Sequence, residues 1–162
     1  MAASLPRSQP SRPRIRLTRD HPGWTPRLEK IIRQAVIATL NHTGVTREKK
    51  IPEISFLLTG DAAIQDLNRT WRGIDKPTNV LSFALEDEVT VVHPPRVRLL
   101  GDVVLAYETL LREATEYTIP LPDHLRHMVV HGVLHLLGYD HEKSALEAER
   151  QERVEMEILG EI

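Results

Sequence analysis

The most informative stretch of this 162-residue chain is His131-Gly-Val-Leu-His135-Leu-Leu-Gly138-Tyr-Asp-His141. On a helix, residues i and i+4 leave the same face one turn apart. His131 and His135 at that spacing suit two ligands on one zinc ion. Gly138 stands where such a helix would end, because glycine takes the left-handed conformation without a Cβ clash. The chain can then turn back and present His141 to the same point. Three neutral imidazoles leave one position of a tetrahedral ion open, which is the pattern of a catalytic zinc site and not of a closed structural one. His127 is also four residues from His131. A 127/131/135 set spans eight residues of helix, about 12 Å, and one ion with bonds of about 2.0–2.1 Å cannot reach both ends. His124 and His127 are therefore read outside the ligand set, supporting it, facing substrate or facing solvent. Solvent exposure is favoured for His124, and for His127 the readings stand level.

The same residues nearly spell the H-E-x-x-H-x-x-G-x-x-H signature of the metzincin zinc peptidases, with Gly132 in place of the glutamate. That glutamate is the general base of peptide hydrolysis. Without it the ligand geometry survives and the peptidase chemistry loses its proton acceptor.

The elements that must carry these residues follow from apolar spacing. Arg14–Thr18 alternates as a short strand. Thr25 and Pro26 read as N-cap and first residue of a helix, and Leu28, Ile31, Ile32, Ala35, Val36 and Leu40 form its stripe. Asn41–Gly44 ends it. Ile54–Leu58, Asn79–Leu85 and Leu99–Ala106 read as strands, the last two joined by a loop holding Pro94 and Pro95. Asp61–Trp71 reads as a helix stopped by Gly73, Tyr107–Tyr117 as one halted by Pro120, and Pro122 to Gly138 as the histidine helix. Ser144–Leu159 reads as a charged helix packing through Leu146, Val154 and Ile158. Strands and helices mix without strict alternation. The expected fold is α+β, a small mixed sheet of about four strands packed with helices, with the zinc site at the end of a helix.

Composition bounds the rest. There is no cysteine, so disulfide scaffolds, cysteine zinc fingers, iron–sulfur clusters and thiol catalysis are excluded. Net charge is −2, yet residues 1–19 carry five arginines and no acid. No global basic field announces nucleic acid. A polyanion must be held by a local cleft, by the basic N-terminus or by a metal. Aromatic residues make up only 4%, which speaks against an aromatic sheet surface for stacking bases. Residues 1–13 are Arg/Pro/Ser-rich and are expected to be a disordered tail, ahead of a single domain at 14–162. The tail lacks the apolar run of a secretory signal, and no stretch approaches the ~18 apolar residues of a membrane span. The expectation is a cytoplasmic protein with no membrane partner.

Taken together, H-G-x-L-H-L-x-G-Y-D-H resembles the YbeY family of bacterial single-domain endoribonucleases involved in ribosomal RNA maturation. A second segment, Asn68-Arg-Thr-Trp71-Arg72-Gly-Ile-Asp75-Lys76-Pro77-Thr78-Asn79-Val80-Leu81-Ser82-Phe83, is similar to the family's N-x-x-(Y/W)-R-x-x-D-x-P-T-D-V-L-S-F. Leu100-Gly101-Asp102-Val103-Val104 is similar to its G-D-I strand. Order and spacing agree from roughly Ile15 to Leu159, and the tail lies outside the resemblance. Asn79 departs from the aspartate of the pattern. A neutral amide there argues for a structural hydrogen bond over acid or base work.

The resemblance implies a hydrolase domain with one zinc ion on His131, His135 and His141, and Arg72 as the functional arginine beside the metal. Guanidinium chemistry agrees, since arginine offers two phosphate oxygens a planar fork. Lys76 and His127 are candidate substrate-binding groups. Asp140 either supports His141 or caps the turn, Tyr139 packs, and Asp102 is expected to be structural at a strand start. The implied activity is single-strand-specific hydrolysis of RNA phosphodiesters in rRNA maturation, at the 16S 3′ end, and in ribosome quality control. The implied partners are ribosomal RNA or a ribosomal subunit, with a ribosomal protein or GTPase as a further partner. The basic tail could add phosphate contacts. Two other readings compete: a non-catalytic, zinc-stabilised ribosome-biogenesis module and, weakened by Gly132, a zinc metallopeptidase. A catalytic site predicts an open metal position lined by cations; a structural one predicts a fourth protein ligand.

Overall fold

Apolar spacing resolves into a four-stranded sheet with helices on both faces. The computed structural model describes residues 9–85 and 96–162. Its elements are β1 (Arg14–Arg19), α1 (Pro26–His42), β2 (Ile51–Thr59), α2 (Asp61–Arg72), β3 (Val80–Ala84), β4 (Val97–Ala106), α3 (Tyr107–Glu116), α4 (Leu121–Leu136) and α5 (Ala145–Leu159). The strand order is β1-β2-β4-β3. β1 and β4 run parallel to β2, and β3 runs antiparallel to β4. This is the mixed α+β sheet expected from the sequence.

The local reasons are the expected ones. Thr25 Oγ1 accepts the Leu28 N–H at 3.3 Å, with Pro26 in the first turn of α1, and so relieves one unpaired donor of the helix start. All six stripe residues of α1 are buried. In β2, Ile54, Phe56 and Leu58 enter the main core, where Val103 and Leu105 of β4 join them. Glu53 pairs with Leu99 but Ile54 with Gly101. Leu100 is thus an extra residue, a bulge that shifts the inward parity of β4. α2 covers the opposite face through Ile64, packed with Leu81, Val104 and Ala106.

α4 is buried almost all round. Leu125, Val129, Val130, Val133 and Leu134 are fully enclosed, and each contributes about 1.5–3 kcal/mol. The helix that bears the histidines is therefore a rigid mount. No helix among the described residues is long and apolar enough to cross a membrane.

Several sequence readings need correction. Leu146 does not pack; it is exposed at the start of α5, and the buried residues of that helix are Gln151, Glu155 and Ile158. Asp102 is exposed in the middle of β4 and not at its start, because pairing with β2 already begins at Val97, opposite Ile51. The Pro94–Pro95 loop and residues 1–8 of the expected tail lie outside the described residues. Within residues 9–13, the Ser11 N–H and Oγ both bond to Thr46 O, at 2.7 and 3.0 Å. Three of the five N-terminal arginines face carboxylates: Arg14 and Arg16 pair with Glu53, and Arg19 with Glu29.

Candidate metal centre

α4 ends in a turn that explains Gly138. The Tyr139 N–H bonds to Leu134 O and the Gly138 N–H to His135 O, each at 3.1 Å. Gly138 has φ +94°, the left-handed conformation this closing motif requires. Asp140 Oδ1 then accepts the Glu142 N–H at 2.9 Å and caps the reversal. Tyr139 packs against the core, with Arg150 4.9 Å above its ring.

The reversal brings the three histidines together. His131 Nε2 and His135 Nε2 are 3.0 Å apart, and His141 Nδ1 is 3.1 Å from His135 Nε2. One ligating atom from each of the three lies within 4.8 Å of the others. Ligand nitrogens on a tetrahedral zinc ion with bonds near 2.05 Å stand about 3.3 Å apart, so the triad could hold a metal ion with little adjustment. His135 is held below the ordinary imidazole pKa, first by burial and then by the neighbouring charges of His131 and His141, against a smaller upward pull from Asp140 and Glu155. That favours the neutral ring, the form that ligates.

Behind the triad sits a carboxylate the sequence did not single out. Glu155 of α5 is only 5% exposed. Its Oε1 is 2.6 Å from His131 Nδ1 and its Oε2 is 3.0 Å from His127 Nε2. Gln151 Nε2 donates to Glu155 Oε1 at 3.1 Å. Burial pushes the Glu155 carboxyl up, but the hydrogen bonds from His127 and His131, and the charges on both rings, outweigh it and leave the pKa at about 2. An anionic oxygen at His131 Nδ1 keeps the ring proton on that side, so the Nε2 lone pair faces the other two imidazoles.

His127 is thus turned to Glu155 and is not among the residues lining the cleft. His124 is not a solvent-facing group; it is 4% exposed, with Nε2 2.6 Å from Glu113 Oε2 of α3 and Tyr117 edge-on to its ring. The two rings fall on the same stripe of α4 as His131 and His135, where α3 covers the first and α5 reaches the next two.

In front of the triad lies a cleft of about 440 Å³. It is lined by the three imidazoles, Asp140 and Glu142, by Arg72, and by the residues from Thr78 through Ser82 with Ala84. Arg72 is the last residue of α2, and its Nη2 lies 3.7 Å from Glu142 Oε1 across the opening. The following loop is stapled back onto α2. Asn68 Nδ2 donates to Lys76 O at 2.9 Å, and Gln65 Nε2 to Asp75 Oδ1 at 3.1 Å. The Lys76 side chain is exposed and lines no part of the cleft.

Asn79 does have a structural hydrogen bond, and it has more than one. Its Oδ1 accepts the Val80 N–H at 2.7 Å, and its Nδ2 lies 3.0 and 3.2 Å from the two oxygens of Glu113. Glu113 therefore spans Asn79 at the cleft and His124 in the core. Gly132 also gains a reason. A Cβ there would meet Ser82 Oγ at 3.1 Å and Val80 and Val103 methyls at 3.2 Å, while Ser82 Oγ donates to Gly132 O at 3.0 Å. Position 132 faces the sheet at close range, and any side chain there would press on Ser82, Val80 and Val103.

Comparison with known proteins shows the family. The family described as Endoribonuclease YbeY matches residues 17–162. A protein named Endoribonuclease YbeY from Magnetococcus marinus is 52% identical over 68% of this chain and 78% of its own length. One of the same name from Paramagnetospirillum magneticum is 46% identical over 86% of this chain and 87% of its own. Among solved structures, the solution structure of TM1509 from Thermotoga maritima is similar, with a TM-score of 0.56 and 27% identity over 91% of this chain and 90% of that one. Matched by the family over residues 17–162 and by these relatives at 46–52% identity, the chain belongs to the YbeY family.

Proposed function

We propose that the protein is a zinc-dependent, single-strand-specific endoribonuclease that hydrolyses RNA phosphodiesters during ribosomal RNA maturation, at the 16S 3′ end, and in ribosome quality control. One observation supports the reading: three imidazole nitrogens converge in an open cleft that Arg72 also lines. Zinc held there by His131, His135 and His141 would supply Lewis acidity and lower the pKa of water. Arg72 grips two oxygens of the scissile phosphate and balances the charge that builds on them. Glu155 keeps His131 in the ligating tautomer through His131 Nδ1. Neither Lys76 nor His127 lines the cleft, so substrate contact by these two is confined to RNA lying beyond it.

The described cluster offers three ligands and no fourth, which supports catalysis over a purely structural zinc. The absence of a carboxylate at Gly132 supports a phosphodiester over a peptide. The partners of this reading are ribosomal RNA in a ribosomal subunit, with a ribosomal protein or GTPase, in the cytoplasm. Purified full-length protein loaded with zinc should cleave single-stranded RNA, lose that activity on chelation and regain it with zinc. His135→Ala should hold zinc well below wild-type stoichiometry and His127→Ala close to it. A linear phosphate with a free 3′-OH among the products marks water as nucleophile, and a 2′,3′-cyclic phosphate marks the ribose hydroxyl. Cleavage that survives complete chelation overturns the reading.

A further inference from the structure

Trp71 is 68% exposed. A large aromatic side chain left in water at one place carries more information than scattered aliphatics do, and this chain has only seven residues of Phe, Trp and Tyr. The indole is positioned on both sides. It precedes Arg72, which lines the cleft, and it meets Phe83 of β3, with ring centroids 6.0 Å apart at 67°. The stapled loop after α2 fixes the end of the helix that bears it.

Phe83 connects the indole to a second feature. The Ala106 N–H bonds to Asn79 O and the Leu85 N–H to Leu100 O. With Leu81 paired to Val104 and Phe83 to Asp102, the antiparallel alternation directs the backbone groups of Leu81 and Phe83 at β4, and those of Ser82 and Ala84 away from it. β3 is the last strand of the sheet, and among the described residues no strand lies on its outer side. Ser82 and Ala84 both line the cleft.

Trp71 itself does not line the cleft, and we propose that it is a stacking platform for an unpaired nucleobase just beyond the cleft, flanking the nucleotide whose phosphate Arg72 takes, with the outward N–H and C=O groups of Ser82 and Ala84 offered to the polar edge of that base. The proposal rests on the RNA reading above and supplies its strand preference. Every base has a π-face, so stacking tolerates sequence, but a base inside a duplex has its faces and its pairing edge already engaged. The neighbouring Arg72 selects nucleic acid over an apolar partner, because it places a phosphate-binding cation one residue from the ring.

The chain contains two tryptophans, and the other, Trp24, is 3% exposed with its Nε1 donating to Thr59 O. Quenching of tryptophan emission by a short oligoribonucleotide therefore reports on Trp71. With full-length, zinc-loaded protein mixed and read before turnover, a single-stranded oligomer should quench and its blunt duplex should not. Trp71→Leu should raise KM for single-stranded RNA roughly 5- to 100-fold, with zinc content unchanged and kcat nearly so, and Trp71→Tyr should recover most of the loss. A wild-type KM in Trp71→Leu overturns the proposal. So does a Trp71→Leu protein that binds naked RNA normally but is no longer retained on the ribosomal subunit, since the ring would then belong to a protein contact. A wild-type protein that is quenched by the single strand but cleaves no RNA supports the platform and sinks the nuclease reading.

Discussion

Glu155 Oε1 lies 2.6 Å from His131 Nδ1, joining the last helix of the chain to the metal-facing end of the histidine helix. The same carboxylate takes His127 through its other oxygen. Removing it leaves His131 without the anchor that fixes its tautomer. Glu155→Ala should weaken zinc binding about 10- to 100-fold, measured by competition with a chromophoric chelator. Glu155→Gln, which keeps an acceptor oxygen, should lose less. Equal zinc affinity in all three proteins would refute the role.

The Glu155 carboxyl, held at about 2, makes a stability prediction for the metal-free protein. Its folded pKa lies below its unfolded one, so its contribution is complete above the ordinary glutamate range near 4.5 and is lost as pH falls toward 2. Urea unfolding of wild type and Glu155→Gln should differ most at pH 6–7 and converge near pH 2. A gap that persists unchanged to pH 2 would assign the loss to packing.

Arg72 faces Glu142 at 3.7 Å across the cleft mouth, with both side chains largely in solvent. An exposed pair of this kind contributes about 1 kcal/mol or less. A phosphate should displace it. Arg72→Ala should keep fold and zinc yet cut RNA cleavage at least tenfold, and Arg72→Lys should recover little, because a point charge does not replace the fork. Glu142→Gln should lower KM a few-fold by removing the competing anion. A wild-type rate in Arg72→Lys would defeat the bidentate argument.

Asn79 sets its amide against the Glu113 carboxylate at 3.0 Å. Asn79→Asp replaces a donor with a second anion at that distance and should destabilise by about 1–3 kcal/mol at pH 7. The loss should shrink in acid as one carboxyl of the pair takes a proton. Adding Glu113→Gln should restore much of it, and thermal melts of the two single variants and the double variant test this. If Asn79→Asp melts with the wild type at pH 7, the contact contributes nothing.

Much of the element pattern and the histidine cluster was legible because both are local. The α1 stripe from Leu28 to Leu40 depends on helical period alone. His131, His135, Gly138 and His141 meet through one helix turn and one reversal, so spacing suffices. What escaped depends on chain segments far apart in sequence. Glu155 is 24 residues from His131 and looked like one more charge on a charged helix. Its signal was its place with Gln151 and Ile158 on one face, at i, i+4 and i+7. Leu146 drew attention for being apolar, but burial on α5 follows the face that meets α4. His124 looked solvent-facing because its partner Glu113 comes from another helix.

The position of Glu155 also makes two helices answer to each other. His131 and His135 stand on α4, but the carboxylate that anchors His131 belongs to α5. Anything that loosens α5 from α4 would free the His131 ring while leaving every residue of the triad untouched, so the docking of α5 and the hold of the triad on an ion would rise and fall together.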